Sequence, residues 1–416
     1  MTTAQQDAER AAELAALREA VGDLIEGSGG LAAARRRLDA QPGHAGLGYD
    51  QPGYDQPGPD QPGPDQPGPD QPGYDEQAWR LLGGEMGLAG LGLPEDLGGA
   101  GGGLAELTVV AEELGRSLLP VPFFSSTVLA GQILARCPEG GPDVLARLSA
   151  GDELAAFAGT DGDGCWRPDR LTIEAEPNGP GWQLRGQADF VLDGASATHL
   201  VVAARTPSGC DLFLVAGDGA GVRRRALPTL DPTRGQASVG FDGAAGTPLT
   251  TGGGGAGPVA AALDVALVVL AAEQVGGAAA SLDMAVEYAK IRHQFSRPLG
   301  SFQAVKHKLA DLLLLVEMSR SAVDRALLAE PDPARLAEAA AVAQIWCGEA
   351  FTTVATENVQ VHGGIGFTWE HDAHLYFRRA RADEQLLGDA TVHRERLAAL
   401  LGWLSQAAGG RPGNLN

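Results

Sequence analysis

Two stretches of this 416-residue chain concentrate the residue types that do chemistry. The first, VEYAKIRHQFSRPLGSFQAVKHKLAD (residues 286–311), carries Arg292, His293, Gln294, Gln303, Lys306 and His307 around a turn. A plain helical hairpin needs no such density of planar and cationic donors, whereas an anionic ligand does. The second, QVHGGIGFTWEHDAHLYFRRA (residues 360–380), holds Gly363, Gly364 and Gly366, where main chain can approach a phosphate without a Cβ in the way. Taken alone, that glycine run is equally a helix C-cap and turn. His371 and His374 stand three apart beside Glu370 and Asp372, but the H-E-x-x-H pattern of zinc ligands is absent. These groups read as caps and cross-links within a bundle, and no metal is expected. Neither a G-x-S-x-G elbow nor a cysteine with a histidine partner is present, so hydrolase chemistry has no support.

The elements that must position these residues follow from periodicity. Apolar residues recur at Met284, Tyr288 and Ile291 before the turn and at Phe302, Val305, Leu309 and Leu312 after it, with Pro298 and Gly300 as the break. The pattern predicts a long helix over 259–295 and further helices over 302–328, 334–361, 368–386 and 391–404. Between residues 151 and 249, LTIEAE, GWQLRGQADFVL, THLVVAART, DLFLVAG and ASVGFDG are short, β-branched or aromatic and separated by turn residues, the pattern of an antiparallel β domain. Residues 4–38 read as helix, interrupted at 27–30. Residues 50–75 repeat DQPGY or DQPGP, which forbids helix and central strand, and form a solvated insertion. A docking segment in polyproline II form is the alternative, although prolines spaced by five build no P-x-x-P ridge. The expected division is therefore a helical segment 1–49, the disordered repeat 50–75, a helical domain 76–150, a β domain 151–250, a helical bundle 251–406 and a tail 407–416, an α+β chain overall.

A formal charge of −22 argues against nucleic acid or an anionic membrane as partner, so a phosphate-bearing ligand must be held by local donors. Cys137, Cys165, Cys210 and Cys347 are scattered without a C-x-x-C pair, which predicts a reducing, cytoplasmic setting. The N-terminus has no apolar h-region, and the apolar run at 259–272 contains Asp264; no secretory signal or membrane span is expected.

Both stretches resemble the acyl-CoA dehydrogenase family, flavoproteins that desaturate acyl thioesters between the α and β carbons. The family's R-x-x-F pattern and the glutamine after its turn match Arg292, Phe295 and Gln303; its Q-x-x-G-G-x-G segment matches Gln360, Gly363, Gly364 and Gly366. The resemblance implies that these residues meet the pyrophosphate and adenosine end of an FAD bound mainly by a neighbouring subunit, in a dimer or tetramer. The turn at 93–101 and the order of helices, β domain and helices resemble the family from residue 76 to residue 404. It implies FAD as cofactor and acyl-CoA, or an acyl group on a carrier protein, as substrate.

The chain departs from the family at two places. The loop expected to touch flavin and thioester keeps Thr160 but lacks the Glu-Pro and Gly-Ser-Asp of the family pattern. The usual catalytic glutamate, counted nine forward from Arg378 or seven back from Arg394, falls on Leu387, and the alternative position on the long helix falls on Ala266. Neither can take a proton. Two acids remain as candidate bases: Glu273, seven residues beyond Ala266 on the same helix, where burial would raise its pKa, and Asp389, two residues past Leu387. The simpler reading of Glu273, and the favoured one, is a buried glutamate bonded to another helix. The expected activity is an FAD-dependent α,β-dehydrogenation; the alternative is a non-catalytic or FAD-contributing subunit of a mixed complex whose partner supplies the base.

Overall fold

The computed structural model describes residues 3–40, 73–137 and 142–403. The repeat up to residue 72 and the tail lie outside the described residues. Two helices open the chain, α1 (Thr3–Gly27) and α2 (Gly30–Asp39), with Gly29 at φ 96° making the break that the sequence led one to expect. The repeat ends sooner than its spelling indicates. Asp75, its last residue, caps α3 (Glu76–Trp79) by accepting from the Ala78 amide at 3.0 Å, and its own amide donates to the Pro120 carbonyl at 2.8 Å.

The N-terminal helices continue through α4 (Leu104–Ser117), a wide helical segment Phe123–Gly131 running into α5 (Gln132–Leu134), and α6 (Pro142–Ser149). Next come β1 (Ala155–Ala158), β2 (Ile173–Asn178), β3 (Gly181–Leu192), β4 (His199–Thr206), β5 (Gly209–Ala216), β6 (Val222–Ala226) and β7 (Gln236–Pro248) in one sheet. Its order is β1-β4-β2-β3-β7-β5, with β6 on β7 and β4 also pairing β5. The sheet is mixed and not purely antiparallel: β1 runs parallel to β4, and β2 meets β4 in parallel at Glu174 and Arg205. All four residues of β1 are buried, as a parallel strand covered on both faces should be.

The helical bundle comprises α7 (Ala256–Ile291), α8 (Gln303–Ala329), α9 (Pro333–His362), α10 (Ala373–Asp383) and α11 (Ala390–Leu400). Asp332 and Pro333 start α9 as N-cap and first-turn proline. Against the expectation that no stretch would be long and apolar enough to cross a membrane, α7 is so among the described residues, but 83% of its most apolar window is buried inside the fold. It is a core helix, crossed by α4 at glycines. A Cβ on Gly276 would stand 1.9 Å from the Glu112 carbonyl oxygen, and one on Gly115 would stand 2.0 Å from that of Glu273. The order of helices, sheet and helices is thus as expected.

Candidate functional site: a cleft and a docking face

The β sheet and the end of α10 enclose a cleft of about 850 Å³. Its lining joins Phe157 of β1, Thr160 just after it, Phe190 and Leu192 of β3, Leu230, and Leu386 and Leu387 of the turn before α11. The position where the family's glutamate was counted therefore does face the loop that keeps the threonine. Two devices aim the walls. The pairing of β3 with β7 slips between Ala188 and Val191, and the bulge turns Phe190 out of the sheet at φ 59°. Across the cleft Leu387 also holds a left-handed backbone, at φ 60°. Non-glycine residues adopt this conformation at a cost, and such strain collects at functional sites.

The cleft offers little to a proton. Among the described residues Asp163 is the one carboxylate in its lining, and it is paired with Arg167 at 3.1 Å. The neighbouring Asp161 is spent on its own loop: it accepts from the amides of Asp163 and Cys165 and from Arg167 at 2.6 Å, which together overcome burial and hold its carboxyl below the usual range. The Thr160 hydroxyl donates to the Asp189 carbonyl at 3.3 Å.

Behind Leu192 the space closes. Leu192 is also a wall of a cavity of about 30 Å³, roughly one water molecule, lined further by Phe123, Phe124, Asp193, Arg234, Glu273 and Arg379. These charges belong to a buried cluster. Glu273 accepts from both Arg234 and Arg379; Arg379 also donates to Asp231 and to the Thr233 hydroxyl at 2.5 Å. Burial works to raise the Glu273 carboxyl, as the sequence argument supposed, but the two guanidiniums prevail and hold it below the ordinary value. The expected upward shift is thereby corrected. Asp383 has the opposite balance: it lies 3.4 Å from Arg234 Nε, neither of its oxygens has a hydrogen-bond partner, and burial pushes it up to about 7. Asp389 caps α11, accepting from the Val392 amide at 2.9 Å. Neither Glu273 nor Asp389 lines the cleft.

Sequence reasoning missed Phe190 and the two buried arginines. A bulge leaves no mark in a period-two pattern. The arginine at 379 did leave one: with Leu375, Tyr376 and Asp383 it lies on the buried face of α10, where a charge is anomalous.

The remaining predicted residues form a separate face, none of them in the cleft lining. After α7 the chain turns through a tight hairpin, β8 (His293–Gln294) and β9 (Arg297–Pro298), so the helix ends four residues earlier than expected. Its two loop residues, Phe295 and Ser296, have φ of 52° and 61°, the geometry of a type I′ turn. Arg292, Phe295, Gln303 and Gln360 are exposed, Phe295 at 88%. Gly363, at φ 63°, and Gly364 have nothing within 4 Å of where a Cβ would stand, so their backbone is open to a ligand. Gly366 is buried instead, and a Cβ there would meet His362 at 2.8 Å. Ile291 and Phe367, 73% and 83% exposed, surround the polar donors with apolar surface.

Comparison with known proteins bears on the family and the fold. Residues 67–139 match the family model described as acyl-CoA dehydrogenase, N-terminal domain, and residues 253–402 that of acyl-CoA dehydrogenase, C-terminal domain. The acyl-CoA dehydrogenase IpdE2 of Mycobacterium tuberculosis is 37% identical over 317 residues, 75% of this chain and 82% of that protein. Acyl-CoA dehydrogenase FadE27 of the same organism is 35% identical over 77% of this chain and 87% of its own length. Among solved structures, a Tcur3481–Tcur3483 steroid ACAD variant superposes with a TM-score of 0.77 at 30% identity, covering 95% of this chain and 99% of that one. The ChsE4–ChsE5 complex from Mycobacterium tuberculosis does so with 0.74 at 28%, covering 99% of each chain.

Proposed function

This chain belongs to the acyl-CoA dehydrogenase family, and from that premise we propose that it serves FAD-dependent α,β-dehydrogenation of an acyl thioester as the flavin-contributing subunit of a mixed assembly. The observation that supports the reading is Leu387: the count for the usual glutamate falls on it, it lines the cleft together with Thr160, and it cannot accept a proton. Leu192, which lines the cleft, also walls the small cavity that holds Arg234, Glu273 and Arg379. Relatives that assemble as pairs, such as the ChsE4–ChsE5 complex, support a two-chain arrangement.

The residues present fit a flavin nucleotide. Phe157, Phe190, Leu192 and Leu386 make an apolar cleft of a size that takes a flat ring system. Arg292, Gln303 and Gln360, with the open backbone at Gly363 and Gly364, supply cationic and amide donors for a pyrophosphate. When bound, FAD supplies the acceptor for the hydride leaving the β carbon. This chain's residues bind and orient; the α proton goes to a base on the partner chain, and the working setting is the cytoplasm. In the rival reading the chain acts alone, through Glu273 or Asp389. The geometry favours the first reading, because Glu273 is committed to two arginines and Asp389 to the start of α11.

The test is to assay the purified chain alone and after co-expression with a candidate partner, following the bleaching of FAD absorbance by a panel of acyl-CoAs. The lone chain is expected to leave the spectrum unchanged and the pair to bleach it. Robust dehydrogenation by the lone wild type, abolished in folded Glu273→Gln or Asp389→Asn, would sink the partner reading and identify the base.

A further inference from the structure

The two stretches that make the docking face end different helices, α7 and α9, yet three rings tie them together. Tyr288, one turn before Arg292, lies against His362 with centroids 4.2 Å apart and planes 34° apart. His362 in turn lies against His371 at 4.1 Å and 43°. The Tyr288 carbonyl accepts from the Arg292 amide at 2.9 Å, and His362 immediately precedes Gly363. A displacement of any ring therefore moves either the arginine or the open glycine backbone relative to the other.

The stack is built to hold. His362 is 4% exposed, and its Nδ1 lies 2.8 Å from the Asn358 carbonyl, which places the proton on that nitrogen. Its Nε2 is then an acceptor, buried without a partner. His371 is fixed by accepting from the Ala373 amide at 3.1 Å, and its segment is clamped from the far side by Arg35 of α2, which donates to the Trp369 carbonyl at 2.5 Å and to Asp372 at 2.8 Å. Burial is the first cause that holds both imidazoles below the usual histidine value, so the facing rings are neutral near pH 7 and do not repel.

We propose that Tyr288, His362 and His371 are positioning residues for the docking face: their stacking sets the spacing between Arg292 and the Gly363–Gly364 backbone, and with it the affinity for the pyrophosphate-bearing end of a flavin nucleotide. The inference rests on the reading of that face as a flavin-docking face. None of the three rings contacts the nucleotide. They act through the residues that do.

The experiment uses the assembled flavoprotein, stripped of flavin and titrated with FAD while flavin fluorescence is followed. His362→Ala is expected to weaken FAD binding about tenfold or more, because misplacement by an ångström is costly in a polar site. His362→Phe, which keeps a ring in the stack, is expected to restore most of the affinity, and His371→Ala to behave like His362→Ala. Should His362→Ala fail to accumulate, His371→Ala on its partly exposed segment carries the test. FAD binding as tight as wild type in both alanine variants, while Arg292→Ala loses flavin, overturns the inference alone. Equal losses in His362→Ala and His362→Phe overturn it too, since stacking would then not be what matters. If Arg292→Ala also keeps its flavin, the docking-face reading fails and the inference falls with it.

Discussion

Glu273 sits where two explanations compete, and the magnitudes separate them. A carboxylate between two buried guanidiniums is held ionised, so it stabilises the fold at neutral pH and makes a poor general base. Removing its charge leaves Arg234 and Arg379 buried and underpaired, a loss of about 3–5 kcal/mol. Glu273→Gln is therefore expected to lower the melting temperature sharply, and that stabilisation is lost in the wild type only as pH falls through its depressed pKa. Asp383 behaves in reverse. Its folded pKa of about 7 stands above the ordinary carboxylate value, so the folded state holds the proton more tightly than the unfolded chain. Its contribution is favourable below the ordinary carboxylate pKa and is lost as pH rises toward 7. Asp383→Asn should come nearest to the wild type in thermal stability at or below pH 4 and exceed it at pH 8, by on the order of 1 kcal/mol. A variant less stable at both values would refute this account of the cluster.

The helices were legible because a 3.6-residue apolar period survives burial on one side, as in α8 and α9. What the period could not show was where backbones touch. The crossing of α4 and α7 depends on Gly115 and Gly276, and α7 reads as apolar almost all round. Gly276→Ala is expected to destabilise the fold by several kcal/mol or prevent it, since backbone cannot yield the way a side chain does. Gly364→Ala meets open space, keeps an ordinary φ and should leave the melting temperature unchanged while weakening FAD retention. Equal effects in the two variants would contradict the division into a packing glycine and a docking glycine. Parallel β1 escaped the sequence for a related reason: four buried residues carry no alternation from which direction or pairing could be read.

At the scale of the molecule, the exposed face of polar and cationic donors was legible in the sequence and the cleft only half so. Arg292, Gln303 and Gln360 are surface residues of uncommon type at fixed spacing, and surface chemistry shows in a one-dimensional pattern. The cleft instead draws Thr160, Phe190, Leu230 and Leu387 from four separate segments, and only the fold brings them together. The repeat gave a partial answer as well, because spelling alone could not reveal that its last residues already belong to the folded part. Tyr74 packs against the main core, the Gly73 amide donates to Ser196 Oγ at 2.9 Å, and Asp75 caps α3. Two deletions separate the repeat from its folded end. Excising 50–70 leaves these contacts, and residues 41–49 with 71–72 still bridge the ends, since a Cβ on Gly73 would stand 3.8 Å from the Arg37 guanidinium in the last turn of α2. Loop-closure entropy changes only logarithmically with length, so stability should shift by no more than about 1 kcal/mol. Excising 50–75 also removes the cap, worth about 1 kcal/mol, together with two backbone hydrogen bonds and the packing of Tyr74. Urea denaturation of the two variants is expected to give a near-wild-type midpoint for the shorter deletion and a clearly lower one for the longer. A large loss in the shorter deletion would mean that the repeat itself packs on the fold.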